Sequence, residues 1–205
     1  MFANVFFATA LLLGVATASP LSEDPLQGRT FEPIEWEVQA TPGGEMIKMN
    51  GTVEAVHEQL LAINPNYEAE FAALEIETPA AEEEHALAKR TDFSTSKLNC
   101  FGRWRGATTK EVQDGINYLR KVPGRPTNGP GPGNCGRVSC SWNAAISWCN
   151  DTPNPKTLAS YGSIADGAAW IKAYCLSGGD FAFTAGQIFH PTGWNVIVYN
   201  SGPCK

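Results

Sequence analysis

Histidine is scarce in this chain, with three in 205 residues, and no cysteine occurs before Cys100. There is no Cys-x-x-Cys pair and no Gly-x-Ser-x-Gly elbow. The first absence argues against a zinc site built on clustered ligands, the second against an α/β-hydrolase nucleophile. Beyond the N-terminal twenty residues no apolar run is long enough to span a bilayer, which takes about 20 residues of helix. Charge is also missing from the start: the first charged side chain is Glu23.

That uncharged start is a signal. An apolar run from Val5 to Val15 ends in Ala16-Thr17-Ala18, the small-x-small pattern that precedes cleavage by signal peptidase. The run is too short for a membrane anchor. Residues 1–18 therefore read as a signal peptide cut after Ala18, and the protein is expected outside the cell. A second cut is expected at Lys89-Arg90, a dibasic pair of the kind read by kexin-type processing proteases. Composition reverses there. Residues 19–90 carry four Lys or Arg against fifteen Asp or Glu, a net of 4 − 15 = −11. Residues 91–205 carry eleven against six, a net of 11 − 6 = +5. The chain divides into a signal peptide (1–18), an acidic propeptide (19–90) and a cationic mature domain (91–205).

The propeptide has structure written into it. Ile34 to Val38 alternates like a strand, Thr41-Pro42-Gly43-Gly44 reads as a turn, and Thr52 to Leu61 reads as an amphipathic helix. Tethered to a basic domain, an acidic segment can mask charge at high effective concentration. Two readings stay open: an intramolecular chaperone or inhibitor, and a passive leader discarded after export.

All six cysteines (Cys100, Cys135, Cys140, Cys149, Cys175 and Cys204) lie beyond the dibasic pair. An even count confined to a small secreted domain reads as three disulfides. Cys135 and Cys140 are expected to join different, distant partners. Residues Pro123 to Gly136 hold four Pro and five Gly, so neither a helix nor a strand interior is expected there.

Around that loop the elements follow by period. Leu98–Trp104 is a short strand. Thr108-x-x-Glu111 is a capping box opening a helix through Val112, Ile116 and Leu119. Arg137–Trp142 and Ala145–Asn150 form a hairpin about Asn143-Ala144. Ser163-x-x-Asp166 opens a second helix, Phe181–Phe189 alternates, and Trp194–Tyr199 reads as a central strand buried on both faces. The β-α-β-β-α-β-β order implies an α+β sandwich, an antiparallel sheet with two helices on one side. Each helix has a central Asp-Gly pair, Asp114-Gly115 and Asp166-Gly167, which a close helix-on-sheet approach would explain.

These features carry a resemblance. Lys89-Arg90, Leu98-Asn99-Cys100, Arg137-Val138-Ser139-Cys140, Trp148-Cys149-Asn150-Asp151, Ile164-Ala165-Asp166-Gly167-Ala168, Gly186-Gln187 and Trp194-Asn195-Val196-Ile197-Val198 resemble the small secreted cysteine-rich proteins of filamentous fungi. The α+β order over residues 97–204 is also similar to the virally encoded killer toxins of smut fungi and their fungal relatives, although those carry more cysteines. The resemblance implies a toxin-like or effector-like protein without catalytic machinery.

Candidate chemistry is thin. His190 is the one histidine of the mature domain and Glu111 its one glutamate. A small secreted ribonuclease or glycosidase would have to draw on them or on five aspartates, and no spacing pairs these groups. Binding has better material: Arg103-Trp104-Arg105 sets an indole between two guanidiniums, and Arg125 follows in the Pro/Gly loop. Such groups suit an anionic surface, an acidic glycan or an acidic partner; the alternative is that Trp104 fills the core. Trp142, Trp148, Trp170 and Trp194 read as core. Asn150-Asp151-Thr152 is a glycosylation sequon. The expectation is a monomeric secreted effector or toxin-like protein acting on a host or competing microbe. It needs no cofactor or metal and binds no nucleic acid. A small hydrolase or a carbohydrate- or wall-binding module is the alternative.

Overall fold

The computed structural model describes residue 26 and residues 29–76, 90–122, 124–179 and 182–204. The N-terminal part contributes β1 (Thr30–Phe31), β2 (Glu35–Gln39), β3 (Met46–Asn50), α1 (Val53–Ile63) and α2 (Tyr67–Ile76). Then come β4 (Lys97–Cys100), β5 (Ala107–Thr108), α3 (Thr109–Lys121), β6 (Thr127–Asn128), β7 (Asn134–Ser141) and β8 (Ala144–Asn150). The chain closes with β9 (Lys156–Thr157), α4 (Tyr161–Tyr174), β10 (Leu176–Ser177), β11 (Phe183–Thr184), β12 (Gly186–His190) and β13 (Trp194–Asn200).

The main sheet runs β1-β7-β8-β13-β12-β4. It is antiparallel apart from the two-residue β1–β7 pair. Helices α3 and α4 lie on one face, where Val112, Ile116, Leu119, Ile164, Ala168 and Ile171 share a core with Val138, Ile146, Trp148, Ile188, Val196 and Val198. The opposite face carries a smaller cluster of Trp104, Ile197, Tyr199 and the Cys135 and Cys149 sulfurs. The fold is a disulfide-stapled α+β sandwich. Strand β8 buries all seven of its residues and β13 all but the last, as expected from the nearly continuous apolar run of Trp194–Tyr199.

Both mid-helix glycines sit where helix meets sheet. A Cβ on Gly115 would stand 2.5 Å from Ser139 Oγ, and one on Gly167 2.7 Å from Val196 Cγ2 and 3.0 Å from Phe93 Cζ. Gly167→Ala should therefore lower stability by about 1–3 kcal/mol through overpacking, overriding the roughly 1 kcal/mol that alanine gains in a helix interior. The midpoint of urea unfolding measures it; an unchanged or higher midpoint would refute the close-approach argument.

The N-terminal segment belongs to this core. Ile34, Trp36, Val38, Met49, Val53, Val56 and Leu60 are buried in the same cluster as the helix–sheet residues above. The Trp36 indole stacks on the Tyr161 ring with centroids 4.0 Å apart and planes within 8°. The Tyr161 hydroxyl donates to the Glu35 carbonyl at 3.3 Å. Burial, then the charges of Glu37 and Glu35, raise the Tyr161 pKa, so the group stays a neutral donor. Glu54 reaches from α1 to β7, its carboxylate accepting from Ser139 Oγ at 2.6 Å and the Cys140 amide at 3.0 Å. That amide follows a bulge between Arg137 and Ser139. Among the described residues, the ion pairs Lys48–Glu35, Lys110–Asp114 and Arg120–Asp166 each lie within one part of the chain. Apolar packing and hydrogen bonds hold the segment in place.

Several local readings are corrected. Strand β4 stops at Cys100 because Phe101 and Gly102 turn the chain with φ of 48° and 74°. The capping box does not close: Thr108 makes no side-chain cap bond, and it lies in β5, which pairs with β11, while the Thr109 amide donates to the Ala182 carbonyl at 3.1 Å. Helix α4 starts at Tyr161 rather than Ser163. The 181–189 strand divides between the small β10-β11-β5 sheet and the main one. Strand β7 begins inside the Pro/Gly stretch, at Asn134, and takes Gly136 opposite Trp148. A side chain at Gly136 would collide with Ile34.

The disulfides join Cys100 to Cys175, Cys135 to Cys149 and Cys140 to Cys204. Cys135 and Cys140 do take different partners. The partner of Cys135 is not distant, however: it is the directly opposed residue of the adjacent strand, 4.0 Å away between Cα atoms. No disulfide reaches back into residues 29–76.

Candidate functional site

Among the described residues the most exposed large apolar side chain is Trp142, with 84% of its surface accessible. It was expected in the core. The β7–β8 hairpin turns on Trp142-Asn143, one residue earlier than the sequence suggests, because Ser141 pairs with Ala144. Both turn residues have positive φ, 46° at Trp142 and 68° at Asn143, the pattern of a two-residue type I′ turn. Asparagine tolerates that conformation, but a bulky aromatic pays strain there. The turn is braced from beside: the Ser201 amide donates to the Asn143 carbonyl at 2.9 Å, and Cys140–Cys204 pins the C-terminal segment to β7. The result is an indole held in water on a stiff, stapled tip.

The Arg103-Trp104-Arg105 group is arranged differently from its linear order. Trp104 is 3% exposed and packs on the Tyr199 ring with centroids 5.8 Å apart, while both arginines are exposed. Arg103 lies over the Trp104 ring at 4.9 Å, a cation–π contact that holds it to the surface. Arg125 is placed by another element. It precedes β6, which pairs with β2 and β9, and donates through Nε to the Leu158 carbonyl at 3.4 Å.

His190 ends β12 against Trp194, ring stacked at 4.9 Å, with Phe93 edge-on at 5.4 Å. Its Nδ1 is 2.8 Å from Thr192 Oγ1 and accepts from the Thr192 amide at 3.3 Å. Burial and then Lys156 lower its pKa, with Asp92 opposing, so it favours the neutral ring. These contacts make it a turn residue. Glu111 lies in the first turn of α3, on a different element.

Asn150 is fully buried. Its amide nitrogen donates to the Gly129 and Asn154 carbonyls at 2.8 and 2.7 Å, and its oxygen accepts from the amide and hydroxyl of Thr152. The folded chain has no room for a glycan on Asn150; the sequon instead fastens the Pro/Gly loop. Asn128 and Asn134 do the same work, donating to backbone carbonyls of Asn134 and Pro130.

At the expected processing point Arg90 is exposed, whereas Ala18 and Lys89 lie outside the described residues. No group of three or more His, Cys, Asp or Glu among the described residues stands close enough together to hold a metal ion. No helix among them is long and apolar enough to cross a membrane. Compared with known proteins, the chain matches no family model, no curated protein and no solved structure.

Proposed function

We propose that the chain is a secreted effector or toxin-like protein that acts by binding outside the producing cell, with Trp142 as its principal contact. The three disulfides are compatible with an extracellular life. The observation that carries the reading is the exposed indole at a strained, braced hairpin tip. An aromatic that stabilises nothing by burial and costs backbone strain is explained by what it contacts, and aromatic anchors dominate the energetics of binding surfaces. Residues 29–76 act in this reading as an intramolecular chaperone that completes the core during folding. The test is Trp142→Gly in the secreted protein, assayed for growth inhibition of competing microbes and for host-tissue response. Glycine suits the first position of the turn, so the unfolding midpoint should hold or rise. Activity should drop about thirtyfold or more, the loss that corresponds to the roughly 2 kcal/mol that marks a hot spot. Full activity in that variant would remove Trp142 from the site.

The same indole favours a second reading, stacking on a sugar ring of a wall glycan. Co-sedimentation of the protein with chitin or β-glucan, lost in Trp142→Gly, would select it.

A further inference from the structure

Thr91 follows the dibasic pair, and its backbone nitrogen lies 2.9 Å from Asp166 Oδ2. The other carboxylate oxygen, Oδ1, accepts from Arg120 Nη2 at 3.2 Å, and the Asp166 side chain is only 13% exposed. Asp166 stands on α4 one residue before Gly167, the glycine whose lack of a side chain lets the helix press on Val196 and Phe93. The same close approach brings residues 90–93 beside the helix. They line a cleft of about 480 Å³ together with Arg120, Asp166, Trp170 and Tyr174. Arg90 is exposed on its rim.

We infer that Asp166 is a receptor for the α-ammonium group that cleavage after Arg90 creates. The inference rests on the processing expected at Lys89-Arg90 and adds what the new terminus does. In the cut, a kexin-type protease adds water across the Arg90–Thr91 peptide bond. Arg90 departs as a carboxylate, and the Thr91 nitrogen, protonated at neutral pH, becomes an ammonium. That nitrogen already touches the carboxylate, so an amide-to-carboxylate hydrogen bond becomes an ion pair between two full charges without moving the chain. Asp166 then holds two cations, the terminus and Arg120, and Asp92 also lines the cleft. Cleavage thereby locks the start of the mature domain onto α4, making processing a step that finishes the fold as well as separating the segments.

The test uses the purified, oxidised full chain, cut in vitro with a kexin-type protease, with the new N-terminus read by mass spectrometry. The Thr91 α-amine is then labelled with an amine-reactive ester at pH 7 and the rate followed by peptide mapping. The cut wild-type chain should label several-fold more slowly than the cut Asp166→Asn chain. Asp166→Asn also removes the Arg120 pair, so a second variant carries one glycine inserted between Arg90 and Thr91. It displaces the ammonium by one residue, about 3.8 Å, leaves Asp166 and Arg120 in place, and should label at the fast rate. Equal rates in all three chains, with Thr91 confirmed as the wild-type terminus, would overturn the receptor site alone. A chain cut elsewhere, or not at all, would overturn the processing reading and the site with it.

Discussion

A chain lacking residues 19–90 behind the same signal peptide should accumulate little oxidised, folded protein. The single substitution Trp36→Ala in the intact chain should cost about 3–5 kcal/mol, the range for deleting a large buried aromatic. The reason is where Trp36 sits. It is fully buried and stacked on Tyr161, which opens α4 and is itself fully buried. Removing the segment would uncover Tyr161 and much of the α3–β7 flank, and would strip the Cys140 amide of its acceptor, Glu54. Each buried apolar side chain of the segment contributes about 1.5–3 kcal/mol, against a total stability that for a domain is about 5–15 kcal/mol. Secretion yield, free-thiol content and the unfolding midpoint of the two chains check this. Equal yield and equal stability of the shortened chain would leave the segment a passive leader. Because no disulfide joins it to the rest, a segment cut after Arg90 is held by non-covalent contacts alone.

Breaking disulfides is the second large effect. Cys140–Cys204 and Cys100–Cys175 close loops of 64 and 75 residues in sequence separation, and Cys135–Cys149 one of 14. Loop-closure entropy assigns about 3 kcal/mol to a short loop like the last and between about 3 and 5 kcal/mol to the longer two. Cys140→Ala/Cys204→Ala should therefore be markedly destabilised and its hairpin tip loosened. Full reduction should unfold the residues that follow Arg90. Urea midpoints of the double variants, with and without reductant, measure it. A Cys140–Cys204 variant as stable as wild type would deny the brace beside Trp142.

Much of this architecture is legible in one dimension. Val112, Ile116 and Leu119 announce α3 by their spacing, and the nearly continuous apolar run at Trp194–Tyr199 announces a strand with no solvent face. Both signals lie in neighbouring residues, and tertiary contacts here reinforce them. The misreadings share a cause. The sequence reading ends the first strand of the hairpin at Trp142 and turns on Asn143-Ala144, which makes Trp142 a strand residue and a candidate for the core. The register that puts Trp142 at the tip is decided by pairing along the whole of β7 and β8. Pro123–Gly136, with four Pro and five Gly, reads as unable to form a strand interior, yet β7 begins inside it at Asn134, where Ile34 from far earlier in the chain fills the space that Gly136 leaves. The sequon at Asn150 is visible in the sequence, but its burial is not, because one of the carbonyls that hold its amide, that of Gly129, lies 21 residues away.

The sequence by itself determined the element types, the confinement of all six cysteines beyond residue 99 and the reversal of charge at Lys89-Arg90. Composition and local spacing are properties of neighbours along the chain. Only the tertiary structure decided that the acidic segment shares the core, which cysteines meet, that Trp142 faces water and that Thr91 meets Asp166. Those outcomes join residues far apart in sequence, 75 positions for Thr91 and Asp166 and 126 for Tyr161 and Glu35. No local pattern encodes such meetings, because they are chosen by the packing of the whole chain.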